Sequence, residues 1–208
     1  SDRYSIYVLD IESGKHHKCV SSATDGEYSF CWTRDSQSLV VSYNPSPRPT
    51  IEPWRDELFL VDVVSAEQRK LEGIPPGNIS ALASQPTGDL VSMMFQDRSS
   101  DRFGIKSNLL ATYDLDTSEF HILTGNDIDV GVHVIGDCRD APEPRLLWTH
   151  DGTRILLSLS ERGSTQVAEF DVRSNTLKRL TAVEGEPIFG SVSATGGLAV
   201  CCLLSTGF

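Results

Sequence analysis

The chain is poor in positive charge, in helical periodicity, in cysteine pairing patterns and in long apolar runs. Eighteen Lys and Arg stand against twenty-nine Asp and Glu, a formal net charge of −11 over 208 residues, with no basic cluster to offset it. Such a field repels phosphate backbones and anionic lipid, so no nucleic-acid partner is expected. The five cysteines (Cys19, Cys31, Cys138, Cys201, Cys202) are odd in number and irregularly spaced. That excludes a simple disulfide framework and suits reduced, mostly buried thiols in a cytoplasmic protein. No run approaches the roughly 18 apolar residues of a membrane span, and no signal-peptide pattern opens the chain, so no membrane partner is expected. Amphipathic helix spacing is almost absent, which leaves an all-β chain whose 39% apolar content is enough for a core. The chain starts at Ser1 without Met and stops in the apolar run "CCLLSTGF", so it reads as a section of something longer.

What is present is a repeat. "IYVLDIESG" at Ile6 returns as "LFLVDVVSA" at Leu58, "LATYDLDTS" at Leu110 and "VAEFDVRSN" at Val167. Each is an apolar run, then Asp, two residues, and Ser or Thr; Asp10, Asp62, Asp114 and Asp171 are spaced by 52, 52 and 57 residues. A second signature alternates with it: "FCWTRDSQSLVVS" at Phe30, "ALASQPTGDLVSMMF" at Ala81, "LLWTHDGTRILLSL" at Leu146 and "GSVSATGGLAVCCLL" at Gly190. These read as strand, four-residue turn, strand, because Asp and Gly accept the backbone angles of a tight reversal. Together they predict a four-stranded antiparallel unit recurring about every 40 to 50 residues, the arithmetic of a β-propeller blade. A single partial propeller domain over 1–208 follows, with complete units at about 28–72, 79–124 and 144–181. Residues 4–20 supply the last two strands of an earlier unit, and 188–205 the first two of a later one. An ordinary β-sandwich is the structural alternative.

Trp32, Trp148, Asp151 and Gly152 belong to the repeat, as do the four aspartates, whose recurrence assigns them backbone bonding in a turn rather than acid–base work. The loops are unequal. In an up-and-down blade the first-to-second and third-to-fourth turns share one face, and here all are short. The other face takes every long insertion: "NPSPRPTIEPWRD" at Asn44, "QDRSSDRFGIKS" at Gln96 and "GNDIDVGVHVIGDCRDAPEPR" at Gly125. Long loops on a rigid scaffold concentrate function, so Trp54, Arg55, Arg102 and Arg162 are the candidate substrate or partner residues. Trp54 has a second reading, as a plug between blades. Asp101–Arg102 and Glu161–Arg162 are expected as loop ion pairs.

Catalytic chemistry is not legible. The pentapeptide Gly-x-Ser-x-Gly of a nucleophile elbow is absent. His16, His17 and Cys19 lack a second ligand pair at metal spacing, and His121, His133 and His150 are isolated. No catalytic residue, metal or cofactor is assigned.

From Pro144 to Val200 the residues resemble the propeller repeats of the prolyl oligopeptidase (S9) family of serine peptidases, most closely its acylaminoacyl-peptidase-like branch. The likeness rests on Trp148-Thr149-His150-Asp151-Gly152, Glu161-Arg162-Gly163-Ser164-Thr165, Asp171-Val172-Arg173-Ser174 and Lys178-Arg179-Leu180-Thr181. Arg34 departs from it where Pro is usual, and the unit at Ala81 lacks the Trp. The resemblance implies a non-catalytic propeller that precedes or encloses an α/β-hydrolase domain in the same polypeptide and admits only short peptides. A free-standing module similar to the TolB propeller, binding protein, is the alternative; a propeller lyase would need several His on inner strands. Half-units at both ends leave unpaired edges, which either close a small ring, join two copies or await further chain.

Overall fold

A computed structural model describes residues 4–21, 28–131, 145–182 and 185–204, without the side chains of 186 and 201–204. Sixteen strands and no helix occur among these residues. Three antiparallel sheets have four strands each, in chain order: β3 (Ser29–Trp32), β4 (Ser38–Tyr43), β5 (Glu57–Asp62), β6 (Gln68–Leu71); then β7 (Gly77–Ser84), β8 (Leu90–Asp97), β9 (Leu109–Asp114), β10 (Phe120–Ile122); then β11 (Leu146–Trp148), β12 (Arg154–Glu161), β13 (Ser164–Asp171), β14 (Thr176–Arg179). Two-stranded sheets flank them, β1 (Ser5–Leu9) with β2 (His16–Ser21) and β15 (Gly185–Val192) with β16 (Leu198–Leu204). The architecture is an all-β partial propeller, three complete blades between two half-blades.

The side-chain period of two explains the stacking. Along β8, Val91, Met93 and Phe95 face the preceding sheet and share a core with Val40, Leu58 and Leu71, whereas Met94 points the other way, towards Ile155, Leu157 and Leu159. A strand covered on both sides is apolar along most of its length, and the interior strands β4, β8, β9, β12 and β13 are the most buried. Two further cores, around Leu39 with Val61 and around Phe189 with Leu156, join the half-blades. Each fully buried Leu or Phe contributes about 1.5–3 kcal/mol, so these cores between sheets hold the stack together.

First strands touch first strands, β3 with β7 and β7 with β11, which makes them the inner strands of the blades. The third inner line is shared: Val130 bridges Leu159, and Gly131 N–H donates to the Ser158 carbonyl (2.7 Å), so residues 129–131 already run along β12 ahead of β11. The unit drawn from about residue 144 therefore starts earlier. His133, Cys138 and the rest of 132–144 lie outside the described residues.

Candidate functional site

The short turns form one face. Asp10, Asp62, Asp114 and Asp171 each accept two backbone N–H bonds through one carboxylate oxygen, for example Val64 at 3.0 Å and Ser65 at 2.7 Å on Asp62. These bonds hold the Asp10, Asp62 and Asp171 carboxyls below the usual range, the backbone donor three residues on being the largest cause in each. The residue after the Ser or Thr then takes a left-handed conformation, at Gly14, Ala66, Ser118 and Asn175. Neighbouring first turns also touch. Gln85 Nε2 donates to the Gly152 carbonyl (2.6 Å), Thr87 Oγ1 to that of Asp151 (3.3 Å), and Arg34 lies 3.6 Å from Asp89. Gly152 is needed twice over: its φ is +66°, and a Cβ there would stand 2.0 Å from Thr87 Oγ1. Asp151 binds Thr149 Oγ1 (2.5 Å) and Thr153 N–H (3.1 Å), which lower its carboxyl to about 2. Trp148 donates its indole N–H to Ala83 of the preceding inner strand (3.1 Å), whereas Trp32 is exposed.

The opposite rim carries the candidate site. The 44–56 insertion returns to β5 through a clamp on the next blade. Gly77 N–H donates to the Trp54 carbonyl (2.9 Å), Asn78 Nδ2 to that of Pro53 (2.6 Å), and Ile79 N–H to Asp56 Oδ2 (2.9 Å). Burial pushes the Asp56 carboxyl up to about 6, against the lowering pull of Ile79, Asn44 and Asn78. The second insertion is organised by Arg98, which donates to Gln96 Oε1 (2.7 Å), Asn78 Oδ1 (3.3 Å) and the carbonyls of Arg102 (3.4 Å) and Gly104 (2.5 Å).

The two insertions meet at Trp54. Phe103 packs edge-on to its ring at 5.1 Å, and the Arg102 guanidinium lies 5.0 Å from the ring centre. Phe103 is exposed, as are Ile51 and Ile105 nearby in the chain. Trp54 and Arg102 also wall a cleft of about 290 Å³, together with Asp56, Lys70, Glu72 and Pro75. It offers an aromatic face, cations, carboxylates and prolines. Asp56 is bonded to the Ile79 N–H and to the Asn44 and Asn78 amides.

The sequence singled out Trp54 and Arg102, and the structure brings them together; it did not single out Asp56, Arg98 or Phe103. Asp101 bonds the Phe103 and Gly104 N–H groups rather than Arg102. Arg55 pairs with Glu52 (3.3 Å). Arg162 stands apart, in a two-residue turn with Gly163 in which both have positive φ, and Glu161 grips Arg179 in bidentate fashion instead. The expected ion pairs of Asp101 with Arg102 and Glu161 with Arg162 are thus replaced by others.

Elsewhere, His17 Nε2 and Cys19 Sγ both contact the Val63 carbonyl, and His150 sits exposed on a turn. Burial pushes the Cys31 thiol up to about 12 and raises that of Cys19, so neither is a thiolate at neutral pH. Among the described residues no group of three His, Cys, Asp or Glu side chains could hold a metal ion, and no helix is long and apolar enough to cross a membrane.

No family model and no curated protein matches the sequence. Solved structures do match. The chain is similar to TolB from Acinetobacter baumannii (TM-score 0.70, 18% identity, 98% of this chain and 44% of that one). It is also similar to the acylaminoacyl peptidase of Pyrococcus horikoshii (0.62, 14%, 96% and 29%) and to a puromycin-hydrolyzing peptidase of Mycobacterium tuberculosis (0.58, 13%, 94% and 29%). It spans less than half the length of each. Identities this low establish the fold: this chain is an arc of β-propeller blades of the kind seen in TolB and in these peptidases.

Proposed function

We propose that the chain is the propeller section of an acylaminoacyl-peptidase-like serine peptidase, and that its long-loop rim meets short peptides or an α/β-hydrolase domain of the same polypeptide. The observation that supports this most is the convergence of two separate insertions on Trp54, with Arg102, Phe103 and the cleft that Trp54 and Arg102 wall. Its role is steric and positional. A rigid blade rim admits flexible oligopeptides and turns away folded proteins, while the aromatic and cationic groups orient a peptide by its side chains and terminal carboxylate. Unpaired Cys19 and Cys31 fit a cytoplasmic location.

The test is a titration of the chain with N-acetylated tri- to pentapeptides, followed by NMR shift changes. Binding that weakens at least about tenfold in Trp54→Ala supports the reading. Shifts that avoid residues 54 and 102, or none at all, would overturn it. The fragment alone should hydrolyse no peptide.

A free-standing protein-binding module is the second reading, favoured by the match to TolB over nearly the whole chain. It expects a folded protein, rather than a peptide, to protect the same rim.

A further inference from the structure

The walls of the rim cleft all belong to the first two complete blades. Trp54 closes the 44–56 insertion, Lys70 lies on β6, Glu72 and Pro75 on the link from β6 to β7, and Arg102 in the β8–β9 loop. Its shape therefore owes nothing to the half-blades.

The charges around this cleft are not all matched within the protein. Lys70 pairs with Glu57 (3.0 Å) and Arg55 with Glu52 (3.3 Å). Asp56 is taken up by the Ile79 N–H and by the Asn44 and Asn78 amides. Three groups are left over. The Arg102 guanidinium lies 5.0 Å from the centre of the Trp54 ring, but among the described residues no carboxylate reaches it, because the adjacent Asp101 turns back to the Phe103 and Gly104 N–H groups. The Trp54 indole N–H has no acceptor among the described residues, whereas that of Trp148 donates to Ala83. The Glu72 carboxylate has neither a cation nor a hydrogen-bond donor among them.

These groups stand on backbone that is already held. Arg98 donates to the carbonyls of Arg102 (3.4 Å) and Gly104, the Gly77 N–H to that of Trp54 (2.9 Å), and the hydroxyl of buried Tyr113 to that of Glu72 (3.2 Å). A site ordered before its ligand arrives loses little on binding.

We propose that the cleft binds a small zwitterion, an unblocked dipeptide whose carboxylate is taken by Arg102 and the Trp54 indole N–H and whose ammonium faces Glu72. Each charge of the ligand then meets a group the protein leaves unmatched, through charge-assisted hydrogen bonds, the stronger class. The volume of about 290 Å³ lies at the low end of ligand pockets, roughly 300–1,000 Å³, and suits two residues better than a long chain. The Trp54 ring and Pro75 offer apolar surface to a side chain. The inference rests on the reading of the rim as a peptide-binding face and adds what the peptide must carry, two free termini a dipeptide apart.

The test titrates the chain with alanyl-leucine, its N-acetyl derivative and its C-terminal amide, followed by NMR. The unblocked dipeptide should bind at least about tenfold more tightly than either blocked form. In Glu72→Gln its advantage over the N-acetyl form should fall below about twofold, and in Arg102→Gln its advantage over the amide should do the same. Glu72 and Arg102 are exposed, so both variants should keep the fold by circular dichroism. Equal affinity of the three compounds would overturn the inference, as would a preference for the free amine that survives Glu72→Gln. If an N-acetylated tripeptide shifts residues 54 and 102 while the three dipeptide forms bind alike, the dipeptide site alone falls. If no peptide shifts those residues, the peptide reading of the rim falls with it.

Discussion

The two faces of the blades are built on different principles. On the short-turn face the same local bonds recur in every blade, Asp to backbone N–H within a turn, and adjacent first turns interlock through groups such as Gly152, Gln85 and Thr87. On the long-loop face the bonds differ from blade to blade, and the contacts that join the insertions to other segments link residues far apart in the chain, such as Trp54 with Phe103 or Asp56 with Ile79. Repetition marks the side that stabilises. Singularity marks the side proposed to meet peptides.

Substitutions should separate the two faces. The largest effect belongs to the interlocked turns: Gly152→Ala adds a Cβ into Thr87 at a left-handed position and should destabilise by about 2–4 kcal/mol in urea unfolding. A loss below about 1 kcal/mol would show that the turns are not coupled.

Next comes Asp56 on the rim. Its carboxyl holds a proton more tightly when folded (about 6) than the ordinary 3.8, so its stabilising contribution is complete below about pH 4 and lost as pH rises through 6. Asp56→Asn should match wild type near pH 4 and exceed it by about 1–2 kcal/mol at pH 8, a figure discounted for partial exposure. Equal stability at both pH values would remove the burial argument.

Smaller is Asp62→Ala, which leaves the Val64 and Ser65 N–H groups to water and should cost about 1 kcal/mol by thermal melting, with no change in peptide binding. Smallest and opposite in sign is Ala66→Gly. It relieves a non-glycine residue at φ 59° and should raise stability by about 0.5–1 kcal/mol.

The repeated face was legible because its signals are local: each Asp bonds within its own turn, and the apolar alternation of Val91, Met93 and Phe95 runs along a single strand even though their core partners Val40, Leu58 and Leu71 lie in the preceding blade. The rim was legible only in outline. Its loop lengths announced a working face, yet Arg102 on Trp54 joins residues 48 positions apart, and no spacing rule connects them. Neighbourhood in sequence even misled, since Glu161 turned past Arg162 to reach Arg179, which the β12–β13 and β13–β14 pairings bring near.

Pinning the 44–56 excursion to β7 through Asp56 and Asn78 has a thermodynamic consequence for any guest. The entropy of ordering that segment is lost when the chain folds and not when a ligand arrives. Recognition there should be quick, with little loop rearrangement and a modest entropic penalty.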